Sequence, residues 1–374
     1  MKITQHKIEA GQKLELAPGN TANLVLVFAG RDRLEAGISD TVASAFPNAN
    51  IVYCSTAGEI MDNSVFDGSV AVTAIEFEKT DIKSALVNIK DYSDSAAAGK
   101  DIVDKLNGEK LRHILIFADG GLVNGSDLVR GMNESLQSGV TISGGLAGDG
   151  SRFEKTLVGL NDNIQVGNIA AIALSGDDLE VSCSSRGGWD SFGPDRKITK
   201  SEANVLYELD GNSALSLYKK YLGDLADQLP GSALLFPISI RVGEQSQPLV
   251  RTILSINEED QSMTFAGNMP EGAYARLMKA NFDRLIDAAS GAAETCVTDM
   301  HNTSPELALL VSCVGRKIVL GQRIDEEIES VRGGFGNDTK FAGFYSYGEI
   351  SPIGGFLGCE LYNQTMTITA FREV

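Results

Sequence analysis

Buried strands and amphipathic helices alternate along the first half of the chain. The segment "ANLVLVFAG" at 22–30 is an unbroken apolar run rich in valine and leucine, which predicts a strand buried on both faces. Residues 31–46 carry apolar positions at helical spacing until Pro47, so they predict a helix. The same patterns predict strands at 113–121 and 140–150, and helices over 95–108 and 125–139.

The pattern changes near the middle of the chain. Helical spacing becomes sparse between about 150 and 200, and a turn followed by a helix at 204–223 begins a new unit. The longest helix is predicted over 273–293. This order indicates an α/β sandwich whose sheet mixes parallel and antiparallel strands, with one domain over 1–200 and a second over 201–374.

Two short segments far apart in the chain end in the same three residues. "YCSTAGEI" occupies 53–60 and "GFYSYGEI" occupies 343–350. They share the pattern [ST]-x-G-E-I, which suggests that the second half repeats the first. We therefore expect two related halves, with each Gly-Glu-Ile segment forming a strand end that lines its own half.

Composition and charge narrow the class of protein. The chain has 374 residues and a formal net charge of -18, and so acidic a surface repels nucleic-acid backbones and anionic lipid heads. Its first residues lack the apolar run of a signal peptide, and no apolar stretch reaches the ~18 residues of a spanning helix. The five cysteines are scattered without a CxxC pair, as expected for reduced thiols. We expect a cytoplasmic protein that binds neither nucleic acid nor membranes.

Glycines and carboxylates at predicted strand ends are candidates for ligand binding. In "GGLAGDG" (144–150), Gly144, Gly145 and Asp149 follow a strand, and glycine there lets the backbone approach a ligand. Asp119 lies at the carboxyl end of another buried strand, the usual ligand location in α/β sheets. The alternatives are a tight turn that needs glycine for its shape, and an aspartate that caps the following turn.

A third strand end contains Cys54, Ser55 and Thr56. Cys54 or Asp119 could take part in catalysis, but a cysteine nucleophile needs a base, and none of the three histidines has a neighbourhood that indicates a Cys/His pair. A scattered buried cysteine usually behaves as a small hydrophobic residue. We therefore expect no enzyme activity and treat these three residues as ligand-binding candidates.

The segment "GFYSYGEI" carries the side chains best suited to a pocket for a small polar ligand. Tyrosine combines an apolar ring with a hydroxyl, and a glutamate can receive an ammonium group or pair with an arginine. Nearby arginines could hold a carboxylate through two parallel hydrogen bonds. The alternative is a sheet with packed aromatic residues and an exposed carboxylate. The candidates are Tyr345, Ser346, Tyr347 and Glu349, with Arg316, Arg323, Asn363 and Gln364 from neighbouring segments.

Histidine count limits metal and haem chemistry. The histidines His6, His113 and His301 lie far apart and form no HxH or HExxH motif, so no zinc site is predicted. Haem needs only one axial ligand and an apolar pocket. His113, beside the apolar "ILIF", is the candidate haem ligand, although a histidine at the start of a strand usually has a structural role.

Seven motifs in order resemble the FIST family over about residues 22 to 374. They are "VLVFAGRDRLEAGISDTVASAFPNANIVYCSTAGEI", "FADGG", "SGGLAGDG", "GGW", "NVLYELDGNSAL", "GFYSYGEI" and "CELYNQTMTIT". The resemblance implies a bacterial sensory protein with a FIST N and a FIST C domain that binds an amino acid or related metabolite. Some family members are fused to kinase, cyclase or chemoreceptor modules. Here both halves fill the chain, so the resemblance implies a separate histidine kinase, diguanylate cyclase or phosphodiesterase as partner.

Four hypotheses follow from these observations. The first is a non-catalytic sensor for a small ligand, and the second is a haem-binding nitric oxide sensor of the kind that the resemblance also implies. The third is an enzyme that uses Cys54 or Asp119. The fourth is a purely structural interaction protein, which would lack an enclosed polar pocket. The first agrees best with the residues because no set of acid, base and nucleophile converges in the sequence.

Overall fold

A mixed α/β core is interrupted by one inserted β-rich unit. The structure is a computed structural model that describes residues 1–17, 20–243, 247–353 and 358–374. The elements before the insertion are β1 (Lys2–Ile8), β2 (Leu24–Ala29), α1 (Arg31–Glu35), α2 (Ser39–Ala45), β3 (Asn50–Ser55), β4 (Glu59–Met61), β5 (Ser64–Phe66), β6 (Val70–Glu76), β7 (Asp81–Asn88), α3 (Ser95–Leu106), β8 (Leu111–Ala118), α4 (Gly125–Ser135), β9 (Thr141–Leu146), β10 (Val158–Leu160), β11 (Asn163–Gln165), β12 (Asn168–Ser175) and β13 (Leu179–Arg186).

The insertion and the remaining core elements complete the chain. The insertion comprises β14 (Asp190–Glu202), β15 (Val205–Leu209), β16 (Asn212–Ser213), α5 (Ala214–Leu222), β17 (Ile238–Arg241), β18 (Leu249–Arg251), β19 (Ile253–Asn257), β20 (Ser262–Phe265) and β21 (Tyr274–Lys279). The core resumes with α6 (Phe282–Asp299), β22 (Leu307–Cys313), α7 (Val314–Leu320), α8 (Ile324–Phe335), β23 (Lys340–Ser346), β24 (Gly348–Pro352), β25 (Cys359–Tyr362) and β26 (Met366–Glu373). Short 3₁₀ turns lie at Ile89–Asp91, Gly223–Gln228, Gly231–Leu235 and Gly321–Arg323.

The same six-strand order occurs three times in the core. The three sheets run β1-β6-β2-β3-β10-β11, β7-β12-β8-β9-β24-β25 and β13-β26-β22-β23-β4-β5. In each sheet the third and fourth strands are parallel and joined through helices, and the second strand is antiparallel to the third. We call β1–β6 unit 1, β7–β12 unit 2, and β13 with β22–β26 unit 3. The predicted mixed-sheet α/β class is confirmed.

The last two strands of every sheet come from a different unit. The hairpin β10–β11 of unit 2 completes the sheet of unit 1, and β24–β25 of unit 3 completes that of unit 2. The hairpin β4–β5 of unit 1 in turn completes the sheet of unit 3. The Gly-Glu-Ile segments lie at β4 and β24, and each of these strands pairs with the sheet of another unit. The expectation that each segment lines its own half is therefore wrong.

The three sheets face one another across a shared apolar core. One aromatic ring from each sheet meets there, and the ring centroids of Phe28, Phe117 and Phe344 lie 4.8–6.1 Å apart. All three are fully buried, and burial of such a side chain contributes about 1.5–3 kcal/mol. Helices cover the outer faces: α1 and α2 on unit 1, α3 and α4 on unit 2, and α6 and α8 on unit 3.

A closed ring of backbone hydrogen bonds joins the units at the carboxyl ends of β3, β9 and β23, the fourth strands of the three sheets. Each unit donates one N–H to the carbonyl of the next, at N···O distances of 2.8–3.1 Å. The pairs are Ala57 to Tyr345, Tyr347 to Leu146, and Gly148 to Ser55. In every unit the donor residue lies two positions after the acceptor residue. The three units therefore occupy equivalent positions in this ring.

The inserted unit has its own sheet and apolar core and docks on the main core. Its strand order is β18-β17-β21-β14-β15-β20-β19, with Leu206, Tyr218 and Phe265 in its interior. Arg251 is buried and donates to the Leu361 carbonyl at 2.7 Å. The predicted domain boundary at 200 falls inside β14, so it lies within this unit and not between two structural units.

Several predicted elements differ in extent. The predicted helix over 273–293 is a strand, β21, followed by helix α6, which begins where the side chain of Asn281 accepts the Arg284 N–H. Residues 274–277 alternate between accessible and buried positions, which is the pattern of a strand. The predicted helix over 31–46 is divided into α1 and α2, and α7 was not predicted. In the described part of the chain, no helix is long and apolar enough to cross a membrane.

A buried ion pair joins the helices of unit 3 to its sheet. The guanidinium of Arg316 lies 2.6 Å from the carboxylate of Glu327, and both side chains are fully buried. The Tyr345 hydroxyl donates to the same carboxylate at 2.8 Å, and Arg316 also donates to the Leu285 carbonyl at 2.8 Å. These contacts tie α6, α7, α8 and β23 together.

Replacement of Glu327 by alanine would leave the guanidinium of Arg316 buried without its anion. Loss of one partner of a buried pair costs about 3–5 kcal/mol, so we expect the free energy of unfolding to fall by that amount in urea denaturation. The exposed Glu329 on the same helix supplies the control. Glu329→Ala should change the free energy by less than about 0.5 kcal/mol. Equal effects of the two variants would contradict this role of the pair.

Candidate ligand-binding cleft

A cleft of about 670 Å³ separates the core from the inserted unit. Units 2 and 3 form one side, through residues 120–125, 153–156 and Tyr347. The inserted unit forms the other side, mainly through residues 252–254 and 265–267. Such a volume suits a small molecule, and the lining is mostly apolar with a few polar groups. Clefts at the carboxyl ends of strands are the usual ligand sites in α/β sheets.

Asp119 shapes the loop on the core side. This carboxylate accepts the backbone N–H groups of Gly121 at 2.9 Å, Leu122 at 2.7 Å and Gly167 at 3.0 Å. Asp119 is fully buried, so it caps the turn and does not face the cleft. A side chain at Gly120 would lie 2.0 Å from the Ala147 carbonyl, which explains the need for glycine there.

Asp149 holds the second core segment of the cleft. This carboxylate accepts the backbone N–H groups of Phe153, Glu154 and Lys155 at 2.9–3.2 Å. It also accepts the hydroxyl of Tyr347 and lies 3.1 Å from the Arg31 guanidinium. Burial alone would raise the pKa of Asp149, but these hydrogen bonds outweigh it and hold the pKa below its usual value. The charged carboxylate therefore fixes the segment that carries Phe153.

An aromatic pair, Phe153 and Tyr347, forms part of the cleft wall on the core side. The ring of Phe153 stacks on that of Tyr347, with centroids 4.6 Å apart and planes at 17°. Phe153 has φ of 54°, an unfavourable conformation for an aromatic residue, yet 49% of it is exposed. Backbone strain of this kind is concentrated at ligand sites, where the surroundings enforce it. Leu122 and Leu254 are also exposed at the cleft, so its rim is apolar.

Cys313 is a nucleophilic side chain among the residues that line the cleft. Burial raises the pKa of its thiol to about 12, so it stays protonated at neutral pH. A protonated thiol is a poor nucleophile. The cleft therefore offers binding surfaces and no activated cysteine.

The structure separates most of the predicted tyrosine-rich site from the cleft. Tyr347 lines the cleft, whereas Tyr345 is buried against Glu327. The Ser346 hydroxyl donates to Glu349 at 2.6 Å, and Glu349 is fully buried. Glu349 is thus an internal acceptor and does not receive a ligand ammonium group.

The predicted carboxylate-binding residues have other partners. Arg316 is committed to Glu327, and Arg323 is paired at the surface with Asp283 and Glu326. Neither guanidinium is placed to hold a ligand in the cleft. Asn363 and Gln364 are fully buried, and each keeps one side-chain oxygen without a hydrogen-bond partner among the described residues.

The first-half candidates serve packing. Cys54 lies in the shared apolar core, where burial raises the pKa of its thiol far above the usual value. The Ser55 hydroxyl accepts the Leu157 N–H at 2.8 Å, and the Thr56 hydroxyl donates to Glu59. Added Cβ atoms at Gly144 and Gly145 would lie 1.8 Å from the Ile116 carbonyl and 2.7 Å from Val311, respectively. These glycines allow strands to pack closely.

His113 is poorly placed to ligate haem iron. Its ring nitrogens lie 2.7 Å from the Thr141 hydroxyl and 2.9 Å from the Ser143 hydroxyl, so both are engaged. The ring is fully buried against Phe371, and burial lowers the pKa of His113 to about 3. A haem iron would have to displace one of these hydroxyls inside packed β-sheets. Within the described ranges, no three His, Cys, Asp or Glu side chains cluster as a metal site.

The main cleft residues were not among the sequence candidates. Phe153, Thr156 and Thr252 line the cleft. Phe153 had a usable signal, because it is a lone aromatic residue between Arg152 and Glu154 directly after the glycine-dense turn. Thr252 had none, since its position in the cleft depends on how the inserted unit docks.

The two Gly-Glu-Ile turns hold their carboxylates in matching ways. Thr56 and Ser69 donate to Glu59, as Ser346 and Thr365 donate to Glu349. Burial raises the pKa of Glu59 to about 7 and that of Glu349 to about 8, against the lowering effect of these hydrogen bonds. Each turn therefore stabilises an exchanged hairpin with a buried carboxyl group.

Family models match nearly the whole chain. A model described as the FIST N domain matches residues 23–212, and one described as the FIST C domain matches 214–352, so the two ranges meet inside the inserted unit. The chain is also 22% identical over 349 residues to the uncharacterised protein MJ1623 of Methanocaldococcus jannaschii. That alignment covers 87% of this chain and 66% of the relative, so the chain spans just under two thirds of the relative's length. The relative is archaeal, and the bacterial origin that the resemblance implied stays a prediction.

Glu349 should make stability depend on pH above neutrality. Its pKa of about 8 exceeds the ordinary value of 4.5, so its stabilising contribution is complete below the ordinary value and is lost as pH rises through 8. Glu349→Gln imitates the neutral acid. Between about pH 5 and 9, the free energy of unfolding of wild type should therefore fall relative to that of the variant in urea titrations. Glu329→Gln at the surface is the control, and parallel curves for wild type and Glu349→Gln would refute the assignment.

Proposed function

The chain belongs to the FIST family, whose domains are sensory domains of signal-transduction proteins, and on that premise we propose that it binds a small metabolite in the cleft. The protein would act as a non-catalytic sensor. Its ligand would be an amino acid or a related small metabolite. Its partner would be a separate histidine kinase, diguanylate cyclase or phosphodiesterase in the cytoplasm.

The exposed, strained Phe153 is the observation that carries this proposal. The carboxylate of Asp149 fixes three consecutive N–H groups of its segment, and the Tyr347 ring supports Phe153 from one side. A solvent-exposed aromatic ring held this rigidly loses little entropy when a ligand packs against it. The apolar rim at Leu122 and Leu254 adds further surface for a ligand to cover.

The chemistry of the lining supports binding without turnover. Among the described residues that line the cleft there is no histidine, and the thiol of Cys313 is protonated at neutral pH. Glu154 and Lys155 lie at the cleft, and Lys155 is paired with Glu35 at 2.7 Å. These groups do not form a nucleophile with an adjacent base, which covalent catalysis would need.

The position of the cleft suggests how occupancy could be signalled. A ligand there would touch both the core and the inserted unit. It would therefore favour whichever arrangement of the two offers the better contacts, because a ligand shifts an equilibrium only by its differential affinity. A partner that contacts both parts could detect this change.

Phe153→Ala should weaken binding of the cognate ligand by about tenfold or more, since an aromatic contact of this size contributes over 1.4 kcal/mol. Purified protein would be screened by thermal shift against amino acids and small carboxylates. Affinities of the hits would then be measured by isothermal titration calorimetry.

Phe282→Ala is the matched control. Phe282 is 42% exposed, close to the 49% of Phe153, but it lies at the start of α6 and does not line the cleft. This variant should bind the hits as wild type does. If Phe153→Ala and Phe282→Ala bind equally well, the ligand site is not this cleft.

A further inference from the structure

Thr156 presents an unused hydrogen-bond donor on the core side of the cleft. Its residue is 2% exposed, and its hydroxyl oxygen accepts the Gly120 N–H at 2.9 Å. A threonine hydroxyl carries one O–H donor besides its acceptor sites. Over the residues that the structure describes, this hydroxyl donates no hydrogen bond.

Thr252 presents the same arrangement on the inserted unit. It is 6% exposed, and its hydroxyl oxygen accepts the side-chain N–H of Gln364 at 2.9 Å. Its own O–H likewise donates no hydrogen bond in the described ranges. Gln364 is fully buried and has φ of 62°, so the group that orients Thr252 is held in a strained conformation.

Each of these two hydroxyls needs a hydrogen-bond acceptor. A buried donor without an acceptor is unfavourable, and buried polar groups in native proteins nearly always have partners. Both oxygens already accept an N–H, so the direction in which each O–H can point is restricted. Both residues line the same cleft, one from each of its sides.

From this pairing we infer that the cleft recognises a ligand with an apolar body and two hydrogen-bond acceptors, such as carbonyl or carboxylate oxygens, received by Thr156 and Thr252. This inference rests on the proposed function and specifies its ligand class. The body of the ligand lies against Phe153 and the apolar rim. Because Thr156 belongs to the core and Thr252 to the inserted unit, a ligand that accepts from both forms a hydrogen-bonded bridge between these two parts.

Three uncharged para-substituted benzenes test the acceptor preference: p-xylene has no acceptor, 4′-methylacetophenone has one carbonyl, and 1,4-diacetylbenzene has two. Their dissociation constants would be measured with the full chain by ligand-observed NMR titration. Wild type should bind the diketone at least fivefold more tightly than the monoketone, and the monoketone more tightly than p-xylene. Uncharged probes exclude any effect of the acidic surface.

Threonine variants then locate the donors. Thr156→Val and Thr252→Val keep the side-chain shape and remove the O–H, so each should reduce the advantage of diketone over p-xylene by at least fivefold. Thr156→Ser and Thr252→Ser keep the hydroxyl and should retain that advantage. Because p-xylene is measured in each variant, a general change in cleft shape cancels from the comparison.

The outcomes separate this inference from the proposed function. Equal affinity of wild type for the three probes, with binding lost in Phe153→Ala, would overturn the acceptor inference and leave the cleft as ligand site. An advantage of the diketone that survives both valine variants would also overturn it. Absence of binding by all three probes would overturn the inference, and the metabolite screen with Phe153→Ala would then decide the function of the cleft independently.

Discussion

The fold depends on the exchange of hairpins between units. A sheet that ended at β3, β9 or β23 would leave a row of unpaired N–H and C=O groups along its edge. Each edge is instead covered by a hairpin from another unit, and the ring of backbone hydrogen bonds closes the arrangement. Glu59 and Glu349 anchor two of these hairpins from within. The matched FIST N and FIST C ranges therefore share their sheets, since strands of each range complete sheets that contain strands of the other.

The cleft arises where this threefold pattern is broken. Between units 1 and 2, Arg31 crosses to Asp149, and between units 3 and 1, Lys317 donates to the Ala57 carbonyl at 2.9 Å. Gly120 and its glycine-rich neighbours occupy the corresponding loop between units 2 and 3, where the inserted unit faces the core. The carboxylate of Asp149 takes part at both junctions, because it accepts a hydrogen bond from Arg31 and also accepts the backbone N–H of Phe153. Asp149 thus closes the junction between units 1 and 2 through Arg31, and it also holds a wall of the cleft at the junction between units 2 and 3, which stays open.

The sequence patterns identified the mixed α/β class, most of the strands and the family, because apolar periodicity and ordered motifs are local features. The exchange of β4 and β24 was out of reach, since the pattern of a strand does not specify its partner. The candidate site was predicted only in part. Tyr347 lines the cleft, and Asp119 and Asp149 shape it. Glu349 and Arg316 were assigned to a ligand, yet their partners are the internal residues Ser346 and Glu327, respectively. A charged side chain in a sequence gives no sign of whether its counter-ion is a ligand or another residue.

Hairpin exchange also has a consequence for synthesis on the ribosome. Strand β4 pairs with β23, which follows it by about 280 residues. While the chain emerges, β4 can pair only with β5 until β23 has been made. Contacts between segments so distant in sequence form slowly, and unpaired strands are prone to aggregate. The nascent chain must therefore keep the free edge of this hairpin from pairing elsewhere until β23 has emerged, so the hairpin of unit 1 takes its place only when the sheet of unit 3 is being made.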